Sequence, residues 1–177
     1  IGVLGPGISI DEGRTWRWLG VKSSEQGVRF QYHFGPNEES VRFSFGMPYQ
    51  EADLKGFLAE HRNSPYLKAA VLTKSRKGRE VERIHAGSIA QEPRFRVLVT
   101  CRYHACEMMT NYVAEGMLES ILGGSAAGAW LRKNVELLLF PFVDKDGVED
   151  GDQGKNRIPV DHKADREGIY PETAALK

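Results

Sequence analysis

His104 and Glu107 stand three residues apart where an apolar run, Phe95-Arg96-Val97-Leu98-Val99-Thr100, gives way to a stretch that reads as a helix. In the first turn of a helix, positions i and i+3 share a face, so an imidazole nitrogen and a carboxylate can converge on one metal ion. That supplies two of the three protein ligands of a catalytic zinc, whose fourth position is left for water. The same pair also fits a helix-start histidine beside a solvated glutamate. Position favours the site, because ligands gather at strand ends in open α/β sheets.

The elements that must hold this pair follow from the pattern of apolar residues. Residues 1 to about 48 read as β-structure. Gly27 to Phe34 and Val41 to Phe45 alternate apolar and polar residues around the turn Gly35-Pro36-Asn37. Upstream, Ser9-Ile10-Asp11-Glu12-Gly13-Arg14-Thr15-Trp16 fits the Asp-box pattern, a hairpin turn in which an aspartate satisfies local amides and a tryptophan packs beneath. Glu51 to Glu60 reads as a helix stopped by Asn63-Ser64-Pro65, and Leu67 to Thr73 as a strand. The basic turn Lys74-Ser75-Arg76-Lys77-Gly78-Arg79 reads as a solvated loop, with a phosphate contact as the alternative. Glu80 to Ile84 continues as strand, and a long helix is expected from about Tyr103 to Leu122. Its Met108–Tyr112–Gly116 and Met109–Val113–Met117 series should face a core. A shorter helix over Ala126 to Lys133 and a buried strand over Val135 to Val143 complete the pattern. The expected class is α/β, with helices on a mixed or parallel sheet.

Composition narrows the function. The chain has 177 residues, 41% of them hydrophobic, enough for a core. Lys+Arg and Asp+Glu are balanced at 24 each, so no overall field recruits nucleic acid or an anionic membrane. The longest apolar stretch, Leu137 to Val143, is too short to span a bilayer and contains Pro141. Cys101 and Cys106 lack zinc-finger spacing and form no disulfide framework, which points to a reducing, cytoplasmic setting. The first residues show neither a basic n-region nor a long apolar core, and the missing initiator methionine suggests that the sequence starts inside a longer one.

Four segments carry a family resemblance. Gly46 to Leu54, Ser75 to Glu82, His104-Ala105-Cys106-Glu107 with its Met-rich helix, and Phe140 to Val148 resemble, in order and spacing, the zinc metallocarboxypeptidases, in the branch of the cytosolic carboxypeptidases and their bacterial relatives. The resemblance implies a partial carboxypeptidase-type mixed sheet with helices over 49–177, preceded by the end of a β-sandwich over 1–48. It implies Zn2+ held by His104 and Glu107, and Arg157 as the residue that polarises the scissile carbonyl. The substrate would be a peptide or protein C-terminus, with no role for nucleic acid or membrane.

Two departures shape the expectation. The family's Asp-x-Asn-Arg segment, which holds the terminal carboxylate, reads Asp161-His162-Lys163-Ala164-Asp165-Arg166 here. The simplest register places Lys163 and Ala164 at the Asn and Arg positions, and a two-residue slip places Asp165 and Arg166 there. Lys163 or Arg166 could substitute as a cation, without the fork of the family's arginine at that position. The third zinc ligand and the general-base glutamate of the family lie further downstream, so the chain reads as a fragment of a longer enzyme, with one sheet edge uncovered. A non-catalytic carboxypeptidase-like binding module is the alternative. A carbohydrate-related β-protein is suggested by the Asp box alone.

Overall fold

The computed structural model describes residues 4–20, 24–25 and 29–177. They belong to two compact units, 1–48 and 49–177.

In the first unit, β1 (Gly7–Ser9) pairs antiparallel with β2 (Arg17–Trp18) on one side and β5 (Arg42–Ser44) on the other. β3 (Ser24–Glu25) and β4 (Arg29–Phe30) form a separate antiparallel pair. The expected strand over Gly27 to Phe34 is shorter than its alternation suggests: positions 27 and 28 lie outside the described residues, and regular pairing ends at Phe30. Tyr32 instead donates to Glu38 at 2.7 Å, and Glu38 also accepts the Gly35 amide, closing the turn. The Asp box forms as its residue types dictate. Asp11 accepts from the Thr15 amide (2.9 Å), the Thr15 hydroxyl and the Ser9 hydroxyl (2.7 Å), and Trp16 Nε1 donates to the Gly13 carbonyl at 3.0 Å.

The second unit opens with α1 (Glu51–Glu60), started by a reciprocal box in which the Gln50 amide donates to Asp53 at 2.7 Å. Leu54 and Phe57, three apart, turn inward. β6 (Leu67–Lys74), β7 (Glu80–Gly87), β8 (Phe95–Thr100) and β9 (Val135–Phe140) form one mixed sheet in the order β6-β7-β9-β8. β7 is antiparallel to both β6 and β9, and β8 runs parallel to β9 with Phe95 beside Val135 and Thr100 beside Phe140. Ile84, Ala86, Leu137 and Leu139 belong to the core, together with residues of α2 (Met109–Leu122). α3 (Ala126–Asn134), capped by Ser125, connects α2 to β9. β8 stands at an edge, with Phe95, Val97 and Leu98 exposed. No helix among the described residues is long and apolar enough to cross a membrane.

Several expectations change. The long helix begins at Met109, and residues 103–108 form turns. Its buried stripe is Ala114, Leu118 and Ile121 with Asn111; of the expected series Met108 is buried and Met117 packs on the core, while Met109, Tyr112 and Val113 are exposed. β9 stops at Phe140 because Pro141 has no amide to continue the ladder. The basic turn is exposed at Lys74, Arg76, Lys77 and Gly78, as expected, but it is also anchored. It latches onto α4 (Lys145–Asp150), where Ser75 donates to Asp146 at 2.7 Å, the Lys77 amide to the same carboxylate at 3.1 Å, and Arg79 to Asp150 at 2.8 Å.

Candidate active site

The parallel pair keeps its alignment past the end of the sheet. The Cys101 amide donates to Phe140, Val143 to Cys101, and Asp144 to Arg102, so the loop carrying His104 lies beside the start of α4. Arg102 then turns the chain through a left-handed φ of 61° and buries its guanidinium. It donates to the carbonyls of Ala105 and Tyr49 (2.9 Å) and to Asn111 Oδ1 (3.0 Å). Burial draws its pKa down to about 10, still cationic at neutral pH. This inward cation ties down the Ala105 carbonyl within the turn that precedes the helix.

His104 and Glu107 nevertheless meet. A turn replaces the expected helix, the Glu107 amide donating to the His104 carbonyl at 3.1 Å. Nδ1 of His104 lies 2.9 Å from Oε1 of Glu107, and Nε2 lies 3.4 Å from Oδ2 of Asp161. The ring is largely buried while Glu107 remains half-exposed. Burial raises the Asp161 carboxyl, but the Ala164 amide and the His104 ring outweigh it and hold it below the ordinary range. Each ring nitrogen faces a carboxylate, and a proton on Nε2 toward Asp161 would leave Nδ1 and Glu107 as a donor pair for a metal. That donor set suits zinc as far as it goes. Among the described residues no group of three His, Cys, Asp or Glu side chains is arranged to hold a metal.

Arg157 occupies different surroundings. Its Nε and Nη2 both donate to the fully buried Asp144 (3.0 and 2.8 Å), and Nη1 donates to the half-exposed Asp152 at 2.9 Å. Asp144 also caps α4 through the Gly147 amide at 2.9 Å. Gly147 and Gly154 admit this packing, since a Cβ on Gly147 would strike the Arg157 guanidinium and one on Gly154 the Ala105 amide.

The segment after Arg157 forms a 3₁₀ turn, His162–Ala164, capped by Asp161. Lys163, Ala164 and Arg166 are exposed. Asp165 is buried and accepts from the amides of Gly168, Ile169 and Tyr170 (2.8, 2.9 and 3.0 Å) and from the Thr173 hydroxyl. Asp161 thus lies beside His104, and Asp165 is enclosed in its own loop. His162 is buried, stacked on Tyr170 at 3.9 Å, with Nε2 3.0 Å from Glu172.

A family model for zinc carboxypeptidase matches residues 57–169. The chain belongs to the zinc carboxypeptidase family. The match takes in β6 to β9, the His104 loop and Arg157. Among solved structures, a metallo-carboxypeptidase from Burkholderia cenocepacia superposes with a TM-score of 0.72 at 19% identity, over 98% of this chain and 48% of its own. A metallo-carboxypeptidase from Pseudomonas aeruginosa, solved in complex with (2-guanidinoethylmercapto)succinic acid, gives 0.65 at 22% identity, over 86% of this chain and 40% of its own. The chain thus spans about half the length of these carboxypeptidases, and they share its mixed α/β fold. No curated protein matches it.

Asp161, Arg102 and Asp144 are the site residues that sequence reasoning did not single out for a role. Asp161 was within reach as the first residue of the altered Asp-x-Asn-Arg segment. Arg102 and Asp144 take their roles from contacts with Tyr49 and Arg157 that residue spacing does not reveal.

Proposed function

We propose that this chain is part of a zinc-dependent metallocarboxypeptidase that removes C-terminal residues from peptides or proteins, in the cytosolic-carboxypeptidase-like branch. The observation that carries the reading is the pairing of His104 Nδ1 with Glu107 while Asp161 faces Nε2. His104 and Glu107 would hold the metal, with Asp161 orienting the ring. When bound, zinc supplies a Lewis acid and a water of lowered pKa. Arg157 is the cation of the site, and its Nη1 edge, held by a half-exposed carboxylate, is the one a substrate carbonyl could reach. Lys163 and Arg166 offer exposed charge to a terminal carboxylate. The remaining ligand and the general base would come from polypeptide outside this chain, which spans about half the length of the carboxypeptidases it matches. The two free cysteines support a reducing, cytoplasmic setting.

The test is zinc content of this chain beside a form extended through the rest of the gene, each with His104→Ala. About one zinc in the extended form, lost with His104→Ala, sustains the proposal. Zinc binding indifferent to His104 in both forms removes it. A second reading, a carboxypeptidase-like binding module without catalysis, is favoured by Lys163 and Ala164 standing, in the simplest register, where an asparagine and a two-pronged arginine would be needed. A zinc-loaded extended form that cleaves no peptide would decide for it.

A further inference from the structure

The far end of the sheet from His104 holds a cavity with chemistry of its own. β8 and β9 point their C-terminal ends at the His104 loop, whereas β7, running the other way, delivers Gly87 and Ser88 to the opposite end beside Val135. There an open cavity of about 420 Å³ is lined by Tyr66, Ser88, Gln91, Arg132 and Lys133 among others. Two cations and no carboxylate line it, in a chain whose charges balance.

Arg132 is set in place by three contacts. Nη1 donates to the carbonyls of Ile121 and Gly123 at 2.6 Å each, at the end of α2, and the guanidinium lies 5.1 Å from the Tyr66 ring centre. Nε and Nη2 have no partner among the described residues. Gln91 is tied to the Lys133 carbonyl at 3.1 Å, which steadies the loop forming the opposite wall.

Ser88 is the decisive residue. It is 2% exposed, its amide donates to Val135 at 2.8 Å, and its Oγ is buried with no hydrogen-bond partner. A buried hydroxyl without a partner carries a desolvation cost that a ligand accepting its proton removes. A half-free guanidinium fork and a lysine in one carboxylate-free cavity, with the unpartnered Ser88 hydroxyl within its wall, are complementary to an oxyanion.

We propose that this cavity binds a small oxyanion, phosphate or carboxylate, at a site separate from the His104 loop. Inorganic phosphate and acetate are titrated separately into the isotope-labelled chain and followed by amide NMR, with sodium chloride at matched ionic strength as control. Saturable shifts at Ser88, Gln91 and Lys133, absent with chloride, are expected; the stronger of the two probes identifies the ligand group. Lys133→Gln, on an exposed position, should weaken binding several-fold, Ser88→Ala about fivefold, and Arg132→Gln about tenfold or more. Arg132 also caps α2, so the Lys133 and Ser88 variants keep the test open if Arg132→Gln does not fold. Shifts no larger than those of chloride, or binding unchanged by Lys133→Gln and Ser88→Ala, overturn the proposal.

Discussion

Two histidine- and arginine-centred clusters sit side by side where β8 and β9 end, and they differ in how completely their polar groups are matched. Around Arg157, each guanidinium nitrogen donates once, two to buried Asp144 and one to Asp152. Around His104, each ring nitrogen faces a carboxylate, but the Nε2 contact is long at 3.4 Å and Glu107 remains half-exposed. A saturated cluster can only hold structure until something displaces one of its members. An unsaturated one has donors left for a metal. The difference separates a matched Asp144–Arg157 contact, which fixes how the Arg157 cation is presented, from a His104–Glu107 pair with donor capacity left over.

The largest effect should come from breaking the saturated cluster. Asp144→Ala leaves Arg157 facing an empty, partly buried position and removes the α4 cap, and it should cost about 3–5 kcal/mol in urea unfolding. His104→Ala should cost much less and abolish zinc binding in the extended form. If the two variants melt together, the division between the matched contact and the pair with donor capacity left over fails.

Asp161 links the two ideas, because it is satisfied by the Ala164 amide and still faces His104. Asp161→Ala should lower zinc affinity of the extended form about 10–100-fold. Asp161→Asn, which keeps an acceptor for Nε2–H and for Ala164, should recover part of it. Equal losses in both variants would show that the charge on Asp161, and not its placement of the ring, is what matters.

Much of this was written in the local sequence. α1, with its Gln50–Asp53 box, the apolar strands β8 and β9, and the Asp box all follow from residue types within a few positions of one another. His104 and Glu107 were legible by spacing, although a turn and not a helix brings them together. What escaped reading depends on partners far apart in the chain. Arg102 reaches back to Tyr49 and forward to Asn111, and the basic turn from Ser75 to Arg79 finds Asp146 and Asp150 only once β6 and β7 have paired. The inward face of α2 was misjudged in part, for a related reason. A helix with apolar residues on two stripes presents whichever one the sheet can pack, here Ala114, Leu118 and Ile121.

In the first unit, Asp11 offers a saturated cluster built from neighbours alone. The Thr15 hydroxyl and amide, with Ser9, hold its carboxyl far below the ordinary range. A depressed folded pKa means stability that is fully present above the unfolded value and lost as pH falls through the acid range. Asp11→Ala should therefore lower the melting temperature of this unit at neutral pH, and the gap to wild type should close on acidification. A gap independent of pH would mean that the turn is held by Trp16 and the glycines, not by the carboxylate.

The smallest effect is expected where a carboxylate is only half matched. Glu115 accepts a hydrogen bond from the buried Tyr49 hydroxyl at 2.6 Å, yet burial raises its pKa above the ordinary value, with Asp53 and Glu119 adding repulsion. For an acid, a raised folded pKa disfavours the ionised form, so folding is penalised above that pKa and relieved below the unfolded one. Glu115→Gln keeps an oxygen for Tyr49 and removes the charge. It should raise the melting temperature slightly at neutral pH, with the gain vanishing as wild-type Glu115 is protonated in acid. A loss of stability at neutral pH would instead make the charged Tyr49–Glu115 bond a net stabiliser, and would place this cluster with the saturated ones.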